Sequence, residues 1–382
     1  MPAERVLVLD AQLRHSLAIV RSLGRVGVEV VAAAPVRRFP SARSRHVAGT
    51  IRFDARRDGP ERLLELAHAH AADVVIAAGL PGNELLCRHR SALEGSLAGA
   101  YNDLGEFERL ANKRATVELA ATLGVATPVT VEIDDPARAA AIGAQLGYPL
   151  VFKSAVDQGT VRYPRDGGEL NACVADYLRA DPTGYAEGRP PLVQQYVDGD
   201  GHGFFGLADR GRLIAHFMHR RLHEVPPTGG PSAMAMSWRD PALRVLGERF
   251  FAATGWHGVA MVEFKRARRD GVYYLIEVNP KFWGSLDLAI ASGVDFPALL
   301  LSLVRGQPTT SRDGDYRDDV ILRSLTMDLA YAVARRDLRG YVRAFGDRRV
   351  KDDLDLRDPL PTTALFATGV RRALGSRVGR AR

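Results

Sequence analysis

Two carboxylates and an amide stand inside paired apolar segments two-thirds of the way along the chain: Glu263 within residues 259–265, and Glu277 and Asn279 within residues 272–281. Apolar residues alternate through both segments, which predicts two β-strands joined by a tight turn. Side chains two apart on a strand share a face, so Glu277 and Asn279 point together. Glu263 joins them in one register only, because a one-residue slip sends every side chain to the other face. A three-residue loop, Arg269-Asp270-Gly271, with glycine in the left-handed position, sets Glu263 opposite Glu277, whereas a two-residue Asp270-Gly271 loop pairs Glu277 with Phe264. The first register is preferred because it also sets Val262 against Val278 and Phe264 against Ile276, leaving one face wholly apolar. Three oxygen ligands then converge. Such a set suits a hard cation, and Mg²⁺ is usually held by one or two carboxylates plus phosphate oxygens, which makes a nucleotide the natural third party. A solvated face on which Glu263 and Glu277 pair with Lys265 and its neighbours fits the same spacing. Spacing alone does not separate the two.

The elements around this hairpin follow from periodicity. In the first hundred residues a strand at 6–9, an amphipathic helix at 16–23 and strands at 28–33 and 73–77 form a βαβ pattern, which implies a parallel sheet. The turn after the first strand reads Asp10-Ala-Gln-Leu-Arg-His-Ser and lacks the glycines of a dinucleotide fingerprint, so a nicotinamide dehydrogenase is disfavoured. A helix is expected over 104–123, ended by Gly124 and Pro128, with a change of domain near residue 105. Strands at 149–153 and 191–197 flank a helix around 169–178, a unit able to form a small lid. Residues 212–218 continue as a strand into a Gly- and Pro-rich loop, 219–232. Helices with a break at Gly293 are expected over 283–303, and mixed-charge helices over 325–345.

At 382 residues, 46% hydrophobic and 25% charged, the composition is that of a globular chain with room for two or more domains. No apolar run approaches the ~18 residues of a membrane span, and a strand begins within the first residues, so a cytoplasmic location is expected. Cys87 and Cys173 have neither metal-ligand nor redox spacing and read as buried thiols. The formal charge of +7 is largely local, because residues 369–382 hold five arginines and no acid. No nucleic-acid-binding motif accompanies it, and a nucleic-acid partner is not expected. The segment 355–361 and the arginine tail are open to docking on the body, a partner or a membrane surface.

Five pieces in order resemble the ATP-grasp superfamily, specifically the carbamoyl-phosphate-synthase-like and biotin-carboxylase-like carboxylate-amine ligases. They are Asn112-Lys-Arg-Ala-Thr with Leu123 to Pro128, Tyr148 to Lys153, Leu192 to Gly199, Pro226 to Ser232, and Glu277 to Ser285. The resemblance covers about residues 1–305. It implies an α/β and α+β chain: a parallel-sheet pre-ATP-grasp domain at 1–104 and an ATP-grasp domain of two α+β subdomains at 105–305, with a lid over about 125–198. A helical extension with a basic tail, 306–382, lies beyond it. ATP is expected between the two subdomains, its adenine at a hinge assigned to Gln194, Gln195, Tyr196 and Val197, and its ribose near Asp200 or His202. Lys113 and Lys153 match the nucleotide-binding lysines, and a lysine ending a buried strand, as Lys153 does, needs an anionic partner. Glu263, Glu277 and Asn279 match the Mg²⁺ ligands, with Mn²⁺ able to substitute. Lys281 stands where most members have arginine, exchanging a bidentate fork for a point charge. Arg220 and Arg221 are further anion clamps. The glycine-pair phosphate loop is sparse here, reading Ser154 to Thr160.

The implied reaction is ATP-dependent joining of a small, amino-acid-like acid to an amine, or to a thiol, through an acyl phosphate. Bicarbonate-using carboxylation, carbamoyl-phosphate-like chemistry and a non-catalytic nucleotide-binding scaffold are the alternatives. Expected partners are ATP and small carboxylate and amine substrates, with a homodimer as the candidate assembly.

Overall fold

The computed structural model describes residues 4–154, 161–186, 188–227, 229–309 and 314–365. Most of the sparse loop and the whole arginine tail lie outside the described residues. The chain divides into two compact units, Met1–Phe107 with Phe205–Met261 and Pro280–Arg382, and Glu108–Phe204 with Val262–Asn279.

The first unit opens with β1 (Arg5–Leu9), β2 (Glu29–Ala34), β3 (Val47–Arg52) and β4 (Val74–Ala77), a parallel sheet in the order β3-β2-β1-β4. β1, β2 and β4 read as apolar runs because both their faces are covered, whereas β3, at the edge, alternates half-buried and exposed residues. Val6 and Val8 belong to one core with the helix Ser16–Arg25, while Leu7 and Leu9 belong to another with Leu63 and Leu66. At the carboxyl end of β1 the Asp10 carboxylate accepts from the backbone N–H groups of Gly79 (3.1 Å) and Gly82 (2.9 Å), tying the turn after β1 to the turn after β4.

The second unit holds β5 (Thr130–Glu132), β6 (Leu150–Lys153) and β7 (Leu192–Gln195), an antiparallel sheet in the order β5-β7-β6. Helices Ala139–Leu146 and Gly167–Ala180 pack on it through Ile142, Leu170 and Val174. The helix expected over 104–123 is two helices, Leu104–Ala111 and Lys113–Thr122. Asn112 breaks it, its side chain capping the second helix by accepting from the N–H groups of Arg114 and Ala115.

The remaining strands are β8 (Gly199–Asp209), β9 (Arg212–Glu224), β10 (Ser232–Ser237), β11 (Gly258–Ala267), β12 (Tyr273–Asn279), β13 (Ile321–Arg323) and β14 (Val350–Asp352). In the second unit the order is β12-β11-β8, and in the first it continues β11-β8-β9-β10-β13-β14. β8 starts at Gly199, where two backbones approach closely: a Cβ there would meet the Arg266 carbonyl at 2.2 Å. Two readings are corrected here. First, β9 runs to Glu224, so Arg220 and Arg221 are strand residues rather than loop residues. Secondly, the extension expected to be helical also adds β13 and β14 to the sheet.

The extension is fastened to the first unit by buried charge. Asp358 accepts from Arg21 Nε at 2.9 Å, from the Ser44 hydroxyl at 2.7 Å and from the Arg45 N–H at 3.0 Å. Burial opposes ionisation of Asp358, but these donors outweigh it and hold its carboxyl below the usual range. Asp358→Ala strands a buried guanidinium and is expected to lower unfolding stability by about 3 kcal/mol in a urea titration. Because the folded pKa is depressed, this contribution is present above the unfolded carboxylate value of about 3.9 and lost as pH falls through the folded value.

Candidate active site

Lys153 ends β6 with its side chain almost wholly out of water. Its ammonium donates to Gln194 Oε1 at 3.0 Å, Gln194 Nε2 donates to the Thr130 hydroxyl at 2.7 Å, and that hydroxyl donates to the Pro128 carbonyl at 2.9 Å. The relay fixes which end of the amide meets the lysine, since a hydroxyl committed as donor has only lone pairs for Nε2. Burial pushes the Lys153 ammonium down to about 8; the charges of Glu277 and Glu263 work against that fall and that of Lys113 adds to it.

Glu277 is 3.7 Å from Lys113 Nζ and accepts from Asn279 Nδ2 at 2.9 Å. Lys113 opens its helix with an 11% exposed side chain, so it is not the solvated lysine its basic neighbours suggest. The turn between β11 and β12 differs from the expected three-residue loop. Ala267 N–H donates to the Val272 carbonyl and Gly271 N–H to the Ala267 carbonyl, enclosing four residues from Arg268 to Gly271, with Gly271 at φ 71°. An unbroken ladder from that closing pair would set Glu263 opposite Ile276. Burial along β12 changes parity instead, Tyr273 and Leu275 being buried and then Val278. The charges of Glu277, Lys113 and Glu263 all act on Lys153, so the four groups share one neighbourhood.

Among the described residues, no group of three or more histidine, cysteine, aspartate or glutamate side chains is placed to hold a metal ion. Two carboxylates and an amide, completed by phosphate oxygens, are nevertheless a composition that suits Mg²⁺. The donor set fits.

At the hinge, Gln194 is buried and committed to Lys153, while Gln195 is exposed. The Val197 carbonyl accepts from Lys265 Nζ at 3.3 Å, and the same ammonium lies 4.8 Å above the Tyr196 ring. Lys265 thus serves the hinge, a role that only the register of β11 could have revealed. Asp200 is bound to Arg268 Nη2 at 2.6 Å, and Asp198 to Arg268 Nη1 at 2.7 Å. His202 is 2% exposed in β8, with Nδ1 3.0 Å from the Asp200 carbonyl and its ring edge-on to Tyr273. Arg268 was missed because its partners lie some seventy positions away in sequence.

The first unit carries the other candidates. Arg220 and Arg221 are adjacent on β9 and leave it on opposite faces. Arg220 lies 5.1 Å over the Trp238 ring, while Arg221 Nη1 donates to Glu224 at 3.1 Å and to the Gly230 carbonyl at 3.2 Å. They do not form one clamp. Lys281 is half-buried and close enough for its charge to act on His15, whose Nε2 is 2.9 Å from the Ala78 carbonyl. Burial, helped by Lys281, pushes the His15 imidazolium down to about 4. Ser285 Oγ is 3.1 Å from His219 Nδ1. Cys87 and Cys173 are buried free thiols, and burial raises Cys87 to about 11.

Solved structures share this architecture. The L-amino acid ligase from Bacillus licheniformis matches with a TM-score of 0.66 at 19% identity, over 84% of this chain and 80% of that one. N5-carboxyaminoimidazole synthetase from Staphylococcus aureus matches with a TM-score of 0.64 at 13% identity, over 87% and 85%. The biotin carboxylase domain of Hydrogenobacter thermophilus 2-oxoglutarate carboxylase, in complex with MgADP, ADP and bicarbonate, matches with a TM-score of 0.65 at 19% identity, over 83% and 73%. The chain has the ATP-grasp fold of these enzymes. No family model matches it. An uncharacterized protein of Sinorhizobium fredii, y4rH, is 29% identical over 267 residues, 63% of this chain and 54% of that protein. The chain thus spans about half the length of that curated relative. Among the described residues no single helix is long and apolar enough to cross a membrane.

Lys153 should titrate near 8 when followed by lysine-selective NMR of the ligand-free protein. Glu277→Gln removes a charge that favours the ammonium, so its midpoint is expected to fall further. An unchanged midpoint would dissociate Glu277 from Lys153.

Proposed function

We propose that this protein is an ATP-dependent ligase that activates a small, amino-acid-like carboxylate as an acyl phosphate and transfers the acyl group to an amine or thiol. The observation carrying this reading is the cluster of Lys153, Lys113, Glu263, Glu277 and Asn279 in one unit of an ATP-grasp fold. An ammonium that burial lowers to about 8 is favoured in its charged form by an anion beside it, and polyphosphate is such an anion. Domain limits of 1–104, 105–305 and 306–382 belong to the same proposal. So do a cytoplasmic location, a homodimeric assembly and the substitution of Mn²⁺ for Mg²⁺.

In the proposed first step a substrate carboxylate oxygen bonds to the γ-phosphorus of ATP and the bond to the bridging oxygen breaks, giving an acyl phosphate and ADP. In the second, the amine nitrogen bonds to the acyl carbon, inorganic phosphate leaves, and the nitrogen loses a proton. Phosphoryl transfer depends mainly on positioning and charge neutralisation. Lys113 and Lys153 bind phosphate oxygens, and Gln194, held by Thr130, aims Lys153. Gln195, Tyr196 and Val197 receive the base, with Lys265 bracing the Val197 carbonyl. Asp200 or His202 receives the ribose: Asp200 would have to exchange Arg268, whereas His202 would act from within β8. Mg²⁺, when held by Glu263, Glu277 and Asn279, supplies charge neutralisation at the transferring phosphoryl group. Arg220, Arg221 and Lys281 are proposed as anion-binding residues for substrate, with Lys281 favoured because its side chain carries no ion pair among the described residues.

The ATP-grasp fold is shared by ligases and carboxylases, so the test must separate them. ADP release is measured across pairs of candidate acids and amines, with a parallel arm in which bicarbonate replaces the acid, and products are identified by mass spectrometry. Product formation with an acid and amine pair supports the ligase; turnover only with bicarbonate supports carboxylation. Nucleotide binding without turnover in any arm supports a scaffold. Glu277→Gln is expected to reduce magnesium-dependent ADP formation by roughly 100-fold. Unchanged turnover would remove Glu277 from the site. Nucleotide affinity should also fall as pH rises through about 8, because Lys153 loses the charge that phosphate needs. Binding above that pH should take up a proton, detectable by calorimetry in buffers of different ionisation enthalpy.

A further inference from the structure

Over residues 329–358 the extension sorts its charges along the sequence. Asp352, Asp353, Asp355 and Asp358 are paired with Arg323, Arg14, Arg25 and Arg21, all within the first unit. The preceding stretch, residues 329–351, holds seven cations against two acids. Those two acids are already engaged, Asp337 as the cap of the Gly340 N–H and Asp347 with Arg349. Arg335, Arg336, Arg339, Arg343 and Arg348 carry no ion pair among the described residues.

Apolar side chains share this surface. Leu329 and Val333, one turn apart on the helix Leu325–Arg335, are exposed, as are Leu338 and Val342 on the helix Leu338–Arg343 and Phe345 just beyond it. Val342 is 65% and Phe345 58% exposed, although Phe345 also packs beneath the buried Arg323 guanidinium at 4.0 Å. Side chains of this kind gathered between cations mark an interaction surface.

We propose that the face built from the helices Leu325–Arg335 and Leu338–Arg343 docks on an anionic lipid bilayer. Both halves of its chemistry are then used: leucine, valine and phenylalanine enter the headgroup boundary while arginines snorkel to lipid phosphates. A second copy of the chain is a poorer occupant, since a two-fold contact would set one cationic face against another. Nucleic acid would neutralise the arginines but leave the aliphatic side chains in water. The tail that follows, with five arginines and no acid in residues 369–382, adds charge of the same sign.

Flotation of the full chain with vesicles tests this. Phosphatidylcholine alone is compared with a mixture containing about 30% phosphatidylserine, with an expected preference for the anionic vesicles of about tenfold or more, reversed by about 0.5 M salt. The combined variant Arg336→Glu, Arg339→Glu and Arg343→Glu should abolish binding, and Leu338→Asp with Val342→Asp should weaken it. Unchanged thermal unfolding of both variants verifies the fold. A chain ending at Leu365 should retain binding at reduced affinity. Equal partitioning to both vesicle types, or no partitioning to either, overturns the proposal. So does full binding by the arginine variants together with complete loss in the chain ending at Leu365, which would assign attachment to the tail alone. Self-association of the parent chain that the triple variant dissolves, without vesicle binding, would overturn it in favour of a dimer contact.

Discussion

Taking the ammonium of Lys153 out of water is the constraint around which the second unit is organised. An isolated buried charge is costly enough that a lysine lacking compensation gives up its proton. Here compensation is partial. One neutral amide acceptor and two carboxylates at longer range offset burial, and Lys113 works against them. These groups come from β6, β7, β11, β12 and the helix after Asn112. Elements distant in sequence are therefore tied to one point, and each has its own anchor: the Asn112 cap for the helix, the Leu275 N–H bond to the Ala126 carbonyl for β12, and the Thr130 relay for Gln194.

Periodicity made the elements with unambiguous patterns legible. The buried parallel strands read as continuous apolar runs, and β11 and β12 as alternating ones. Local composition misled where tertiary contact overrode it. The proline-glycine segment after β9 suggested a long loop, but pairing with β10 carries the strand to Glu224. The hairpin turn was misjudged by one residue because Arg268 looks equally suited to strand or turn. The unusual placement of Lys153 was legible since a charged group at the end of a buried strand is conspicuous, and the side chain is buried. Pairings such as Arg268 with Asp200, or Lys113 with Glu277, depend on distances that no local pattern encodes.

Charge shows the same division. The sequence locates much of its +7 in the last fourteen residues, and that reading holds as arithmetic. It does not show that the acids of residues 352–358 are consumed by Arg323, Arg14, Arg25 and Arg21. With those acids engaged, Arg335, Arg336, Arg339, Arg343 and Arg348 carry no ion pair among the described residues. The remaining charge of about +2 thus conceals an anchored acidic stretch and an exposed basic one before it.

The identity of residue 194 has a chemical consequence for the site. A glutamate there would form a close ion pair with Lys153, hold the lysine charged without ligand, and compete with phosphate for the ammonium. Glutamine keeps the hydrogen bond and the geometry while contributing no charge. Lys153 is then left near 8, and under the proposed function a bound polyphosphate would supply the stabilisation that the protein withholds. Thr130 makes this arrangement directional: with its hydroxyl committed to Pro128, it accepts from Gln194 Nε2 and leaves Oε1 for the lysine. Under the proposed function the charge of Lys153 is in this way coupled to nucleotide occupancy, through an amide whose orientation is set by Thr130 rather than by the ligand.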